Sequence, residues 1–87
     1  MKKRNKLEII KDILKIIQES RSIRPTPLLR KSNLSSPIFR KYYSELLSKN
    51  FIEETREKNK KIILTKKGQK YLEKYFAIIN FIEEFEL

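Results

Sequence analysis

Two helix openings, Thr26-Pro27 and Ser36-Pro37, stand ten residues apart and leave the chain around them little freedom. A hydroxyl residue followed by proline starts a helix. The side-chain oxygen caps a free N–H, and proline's missing donor costs nothing at the first helical position. Between the two openings there is room only for a short helix. Ser32 and Asn33 interrupt it, and asparagine tolerates the left-handed conformation that ends a helix. The second opening starts a longer helix, and Asn50 behind it is suited to the same kind of stop. Residues 25–52 thus predict a short helix, a tight turn and a longer helix.

The second of these helices sorts its side chains at ~100° per residue. Phe39, Tyr43 and Leu46 fall on one side, flanked by Tyr42 and Leu47. Pro37, Arg40, Lys41, Ser44 and Ser48 fall on the other, with Glu45 at the edge. An outer face of cations and hydroxyls with no acid among them suits phosphates and base edges. The stretch therefore reads as a helix-turn-helix whose second helix enters the major groove of double-stranded DNA. Ser35, Ser36, Arg40, Lys41 and Ser44 are the candidate groove-facing residues. Arg30 and Lys31 close the first helix. There they are favourable as solvated charges beside the helix dipole, and equally placed to hold phosphate.

The chain has 87 residues and a formal net charge of +10. One small domain of that size has a marginal core, so a partner chain is expected to help. Seven cations against the single acid Glu45 lie between residues 21 and 50, so the excess peaks on the helix-turn-helix. That is where a reader of a polyanion needs it. The chain has no Cys and no His. This excludes disulfides and thiolate metal sites, and it removes the commonest general base. Ser35 and Ser36 have no His partner, so neither an enzyme nor a metal, cofactor or small-molecule ligand is expected. No apolar run is long enough to span a bilayer, and Glu8, Lys11 and Asp12 break up the segment after the basic start. The expected setting is the cytoplasm, in association with the nucleoid.

Met1 to Arg4 reads as a frayed basic arm, either solvated or resting on phosphates. Asn5 to about Glu19 forms the first helix, with Asn5 and Glu8 placed as in a capping box. Leu7, Ile10, Ile13, Leu14 and Ile17 make its core stripe, which Ile9 and Ile16 widen. Arg21 to Arg24 passes as a very short strand around Ile23. After Asn50, Phe51-Ile52 and Lys61 to Leu64 predict the arms of a β-hairpin with a polar tip. The turn has no glycine, so Asn59 is expected at positive φ. The tip, with Lys58, Asn59, Lys60 and Lys61, is either an ordinary charged turn or a wing lying on the DNA backbone or minor groove.

Thr65 caps the last helix, and Lys66-Lys67-Gly68 opens it. Lysines in a first turn oppose the helix dipole and suggest an anionic neighbour. Leu72, Phe76 and Ile79 form one stripe. Tyr71, Tyr75, Ile78, Ile82 and Phe85 form another, bordered by Phe81. This apolar arc is about twice as wide as one core requires. The second stripe resembles a coiled-coil seam and predicts a homodimer through this helix. A helix wrapped by its own domain lacks chain to do the wrapping, and Glu83, Glu84 and Glu86 disfavour an anionic membrane surface.

Pro-Leu-Leu-Arg-Lys-Ser-Asn-Leu-Ser, Tyr-Tyr-Ser-Glu-Leu-Leu-Ser-Lys-Asn-Phe-Ile-Glu and Leu-Thr-Lys-Lys-Gly-Gln-Lys-Tyr-Leu resemble the archaeal winged-helix family of small DNA-binding regulators, over roughly residues 6 to 80. That family includes chromatin-associated dimers with a C-terminal antiparallel coiled coil. The resemblance implies DNA binding through the helix near Ser36 and dimerisation through the last helix. Pro37 and Ile38 depart from the polar residues usual at the start of that helix. The expected fold is mainly α with a small β-hairpin: a winged helix-turn-helix domain over 1–65 and a C-terminal dimerisation helix over 66–87, forming one structural unit. Three functions fit: transcription regulator, low-specificity architectural DNA-binding protein, or protein-interaction module.

Overall fold

The computed structural model describes residues 4–87. Helix α1 (Lys6–Ser20) is followed by β1 (Ser22–Ile23), α2 (Pro25–Ser32), α3 (Ser36–Ser48), β2 (Ile52–Glu54), β3 (Ile62–Leu64) and α4 (Lys66–Glu84). The three strands form one antiparallel sheet in the order β1-β3-β2, with Ile23 opposite Ile62 and Ile52 opposite Leu64. This is a winged helix: mainly helical, with a small sheet whose outer hairpin is the wing.

The core is a single apolar cluster. Ile13, Leu14 and Ile17 of α1 meet Leu28 of α2, Leu46 of α3, Ile52 and Ile62 of the sheet and Leu72 of α4. Each is at most 2% exposed. Ile9 and Ile16, which widen the α1 stripe, pack against its edge. Burying side chains of this kind contributes roughly 1.5–3 kcal/mol apiece. Ser32 is buried among them and is satisfied locally, its hydroxyl donating to the Leu29 carbonyl at 2.7 Å.

Local chemistry explains most helix boundaries. The Asn5 side chain accepts from the Glu8 N–H at 2.8 Å and caps α1. The Thr65 hydroxyl does the same for the Gly68 N–H at 3.0 Å and caps α4. Asn33 and Asn50 both adopt positive φ, at 58° and 63°, and turn the chain out of α2 and α3. The openings of α2 and α3 lie earlier than expected, by two residues and by one. Pro25, not Pro27, is the first residue of α2, with Arg24 at the cap position. Ser35 occupies the cap position of α3, and Ser36 and Pro37 lie in its first turn. Neither helix has a side-chain cap bond. Proline's preset φ serves any first-turn position, so the motif marks the opening without fixing its register.

Four further expectations fail. Leu7 is 57% exposed and lies outside the core. It sits in the first turn of α1, where it lines an open groove with Tyr75, Ile78 and Ile82. Within the stripe Leu72, Phe76 and Ile79, only Leu72 is buried. Phe76 stays 37% exposed beneath the Lys15 ammonium, which lies 5.1 Å from its ring centre. Asn59 is not at positive φ. The connection 55–61 is long enough to turn without a left-handed residue, and Thr55 and Lys61 close its base by hydrogen bonds of 2.8 and 3.1 Å. Arg4 is not frayed. Its guanidinium donates to Asp12 at 2.7 Å and to the Ser32 carbonyl at 3.0 Å, tying α1 to the end of α2. The rest of the expected arm, residues 1–3, lies outside the described residues.

Candidate nucleic-acid interface

Helix α3 is held by its apolar side. Phe39 and Leu46 are buried, and Tyr43 stacks on Phe39 with ring centres 5.7 Å apart. Seating that side in the core turns the opposite side outward. Arg40, Lys41 and Ser44 are all exposed, as are Ser35 and Ser36 before them. Among the described residues neither Arg40 nor Lys41 forms an ion pair. A shallow groove of about 220 Å³ runs between α2 and the start of α3, with Thr26, Ser36 and Arg40 on its walls.

The acid of this helix is neutralised. Glu45 receives Lys6 at 2.8 Å and Lys49 at 3.0 Å. The hydrogen bond from Lys6, with that from Lys49, holds its carboxyl below the usual range, and the same contact raises the Lys6 ammonium. The repulsion a free carboxylate would offer to phosphate is thereby reduced. Arg30 and Lys31 are exposed in the last turn of α2.

The wing supplies a second set of cations. Lys58, Asn59 and Lys60 are exposed and Lys61 is partly buried. Lys60 shares its charge with Glu54 at 3.5 Å, while Lys58 and Lys61 pair with no carboxylate among the described residues. At the opening of α4, Lys67 donates to the Lys49 carbonyl at 2.8 Å and lies 4.9 Å above the Phe51 ring. The partner of this first-turn lysine is thus the carbonyl end of α3. Gly68 is required beside it: a Cβ there would stand 2.3 Å from the Phe51 carbonyl oxygen. The Thr-x-x-Gly pattern therefore docks α4 against the residue just after the α3 stop.

The far half of α4 has a different character. Ile78, Phe81, Ile82 and Phe85 are 60%, 55%, 37% and 57% exposed. Tyr71 and Tyr75 are partly covered by their own domain. The Tyr71 hydroxyl donates to the Leu7 carbonyl at 3.0 Å, its ring meets Phe51 edge-on, and it stacks on Tyr75. Together with Leu7, the residues Tyr75, Ile78 and Ile82 border an open, mainly apolar groove of about 340 Å³, and Tyr71 lines a second one beside it. Sequence reasoning missed the part played by Leu7, because helical period alone placed it with the core.

The winged helix-turn-helix family model matches residues 3–83, so the chain belongs to that family. Among solved structures it is similar to the crystal structure of Sso10a-2, a DNA-binding protein from Sulfolobus solfataricus. The TM-score is 0.77 at 21% identity, covering 95% of this chain and 86% of that one. At that identity the likeness concerns the fold. No curated protein matches the chain significantly. Among the described residues no helix is long and apolar enough to cross a membrane.

Proposed function

We propose that this chain is a homodimeric DNA-binding protein that regulates transcription, placing α3 in the major groove and the wing along the backbone or minor groove. The observation that carries this reading is the outer face of α3, where Arg40, Lys41 and Ser44 stand exposed with no acidic partner among the described residues. Ser35 and Ser36 would meet base edges or phosphates at the start of that helix, and Arg30 and Lys31 would hold the backbone from α2. Lys58, Asn59 and Lys61 would extend the contact along the wing.

The second copy would cover the far half of α4. Ile78, Ile82 and Phe85 supply the seam with Leu7 at its margin, and Tyr71 and Tyr75 continue it into the domain. Charge favours an antiparallel pair. Lys66, Lys67, Lys70 and Lys74 open the helix, whereas Glu83, Glu84 and Glu86 end it. Reversal sets each acidic end beside the partner's basic start. Such a dimer would address half-sites about one helical turn, ~34–36 Å, or a multiple apart.

A low-specificity architectural role is favoured by one feature. Pro37 and Ile38 are exposed in the first turn of α3 and carry no hydrogen-bonding side chain toward the bases. Selecting bound duplexes from a random pool separates the readings. A recovered palindromic site supports regulation, and tight binding without a consensus supports architecture. An affinity that does not change between low and moderate salt contradicts both, because each neutralised phosphate releases counterions.

A further inference from the structure

Glu54 lies between α3 and the wing, the two parts of the basic surface. It is the last residue of β2, at the base of the wing, and its side chain is partly buried. Its two oxygens serve different elements. Oε2 accepts a hydrogen bond from the Tyr43 hydroxyl of α3. Oε1 pairs with the Lys60 ammonium of the wing at 3.5 Å. Among the described residues no other carboxylate bridges α3 and the wing. The tyrosine end is firm, because its ring stacks on the buried Phe39. Burial raises the Tyr43 phenol above its ordinary value and Glu54 adds to the effect, so the hydroxyl remains a donor at neutral pH.

We propose that Glu54 is the positioning residue of the wing: it fixes residues 55–61 against α3 and withholds Lys60 from phosphate, leaving Arg56, Lys58 and Lys61 as the wing's backbone contacts. This rests on the proposed DNA binding. An ammonium already shared with a carboxylate brings little net charge to a phosphate and releases few counterions there. Among the described residues Lys58 and Lys61 carry no such partner. Lys61 is also anchored by its backbone to Thr55, which holds its side chain at the base of the loop.

The test is the salt dependence of duplex binding in Lys58→Ala, Lys60→Ala, Lys61→Ala, Glu54→Gln and the double variant Glu54→Gln/Lys60→Ala. Lys58→Ala and Lys61→Ala each flatten the log–log salt slope by about 0.9, or about 3.5-fold in affinity across a fourfold salt change. Lys60→Ala flattens the slope by clearly less than either, since it removes no phosphate contact and only uncovers the Glu54 carboxylate. Glu54→Gln keeps an oxygen for Tyr43 but frees Lys60, steepening the slope by a similar amount, and adding Lys60→Ala reverses this. A slope that falls in Lys60→Ala as far as in Lys58→Ala overturns the assignment. Amide hydrogen exchange across 55–61 in the free protein tests the restraint itself. Glu54→Ala accelerates it most and Glu54→Gln, which keeps the Tyr43 bond but frees Lys60, by less; equal rates in wild type and Glu54→Ala overturn the restraint whatever the duplex does. A wild type that binds no duplex at low salt overturns the DNA reading and with it the withheld contact, while the exchange rates still decide whether Glu54 holds the wing.

Discussion

The outer face of α3 and the far half of α4 are both turned away from the core, and they are chemically opposite. On α3 the exposed side carries Arg40, Lys41 and Ser44, polar groups that water solvates well. On α4 it carries Ile78, Phe81, Ile82 and Phe85, which water does not. A charged face can remain solvated until a polyanion displaces its counterions. An exposed apolar face is the kind of surface a partner covers. One short chain thus presents two surfaces suited to partners of different kinds, and the core between them holds the two apart.

Reversing the charged face should give the largest effect. Arg40→Glu with Lys41→Glu is expected to cost about 2–6 kcal/mol of duplex affinity, at roughly 1–3 kcal/mol per contact. Thermal unfolding should shift by no more than ~0.5 kcal/mol, since both positions are exposed. Gel-shift titration and calorimetry check the two halves, and undiminished binding would break the contrast. The apolar face should respond in the opposite way. Ile78→Glu is expected to convert the proposed dimer to monomer in sedimentation, at roughly 1.5–3 kcal/mol for each copy of the side chain. Secondary structure should persist, because Ile78 is 60% exposed.

The near half of α4 behaves as core and sharpens the comparison within one helix. Gly68→Ala pushes a Cβ into the Phe51 carbonyl and should destabilise folding by about 1–3 kcal/mol in denaturant titration. Unchanged stability there would mean that α4 is free to shift away from Phe51.

The smallest effect concerns Asp12. Partial burial works against its ionisation, but hydrogen bonds from Lys11 and Arg4 outweigh this and hold the carboxyl below its ordinary value. A depressed folded value gives stability that is present at neutral pH and lost as pH falls through it. Asp12→Asn should therefore cost at most about 1 kcal/mol at neutral pH, and the difference from wild type should vanish in acid. A gap that persists below the ordinary carboxylate range would assign the loss to packing instead.

Much of the fold is legible because its signals are local. The stops at Asn33 and Asn50, the caps at Asn5 and Thr65 and the inward side of α3 each come from a few neighbouring residues and the helical period. The exposed positions of Arg40, Lys41 and Ser44 are then settled too, since a helix seated by Phe39 and Leu46 has no choice about its other side. Arg21 shows where such reasoning ends. It adopts φ 66° without being glycine or asparagine, and nothing in its side chain announces it. The turn is forced by joining α1 to a strand that must pair with β3, and that pairing joins Ser22 to Ile63 across the chain.

What the sequence determined alone is therefore the kind of element at each place and the side each one buries, because period and capping act within a few residues. Only the tertiary structure decided which charges are free and which are taken. Glu45 is quenched by Lys6, Glu54 joins Tyr43 to Lys60, Lys67 finds the Lys49 carbonyl, and Leu7 joins the α4 groove rather than the core. Most of these contacts span distant segments and depend on how the helices and sheet sit against one another in space. Hydrophobic period carries no information about that, since it is the same whichever neighbour a surface side chain meets.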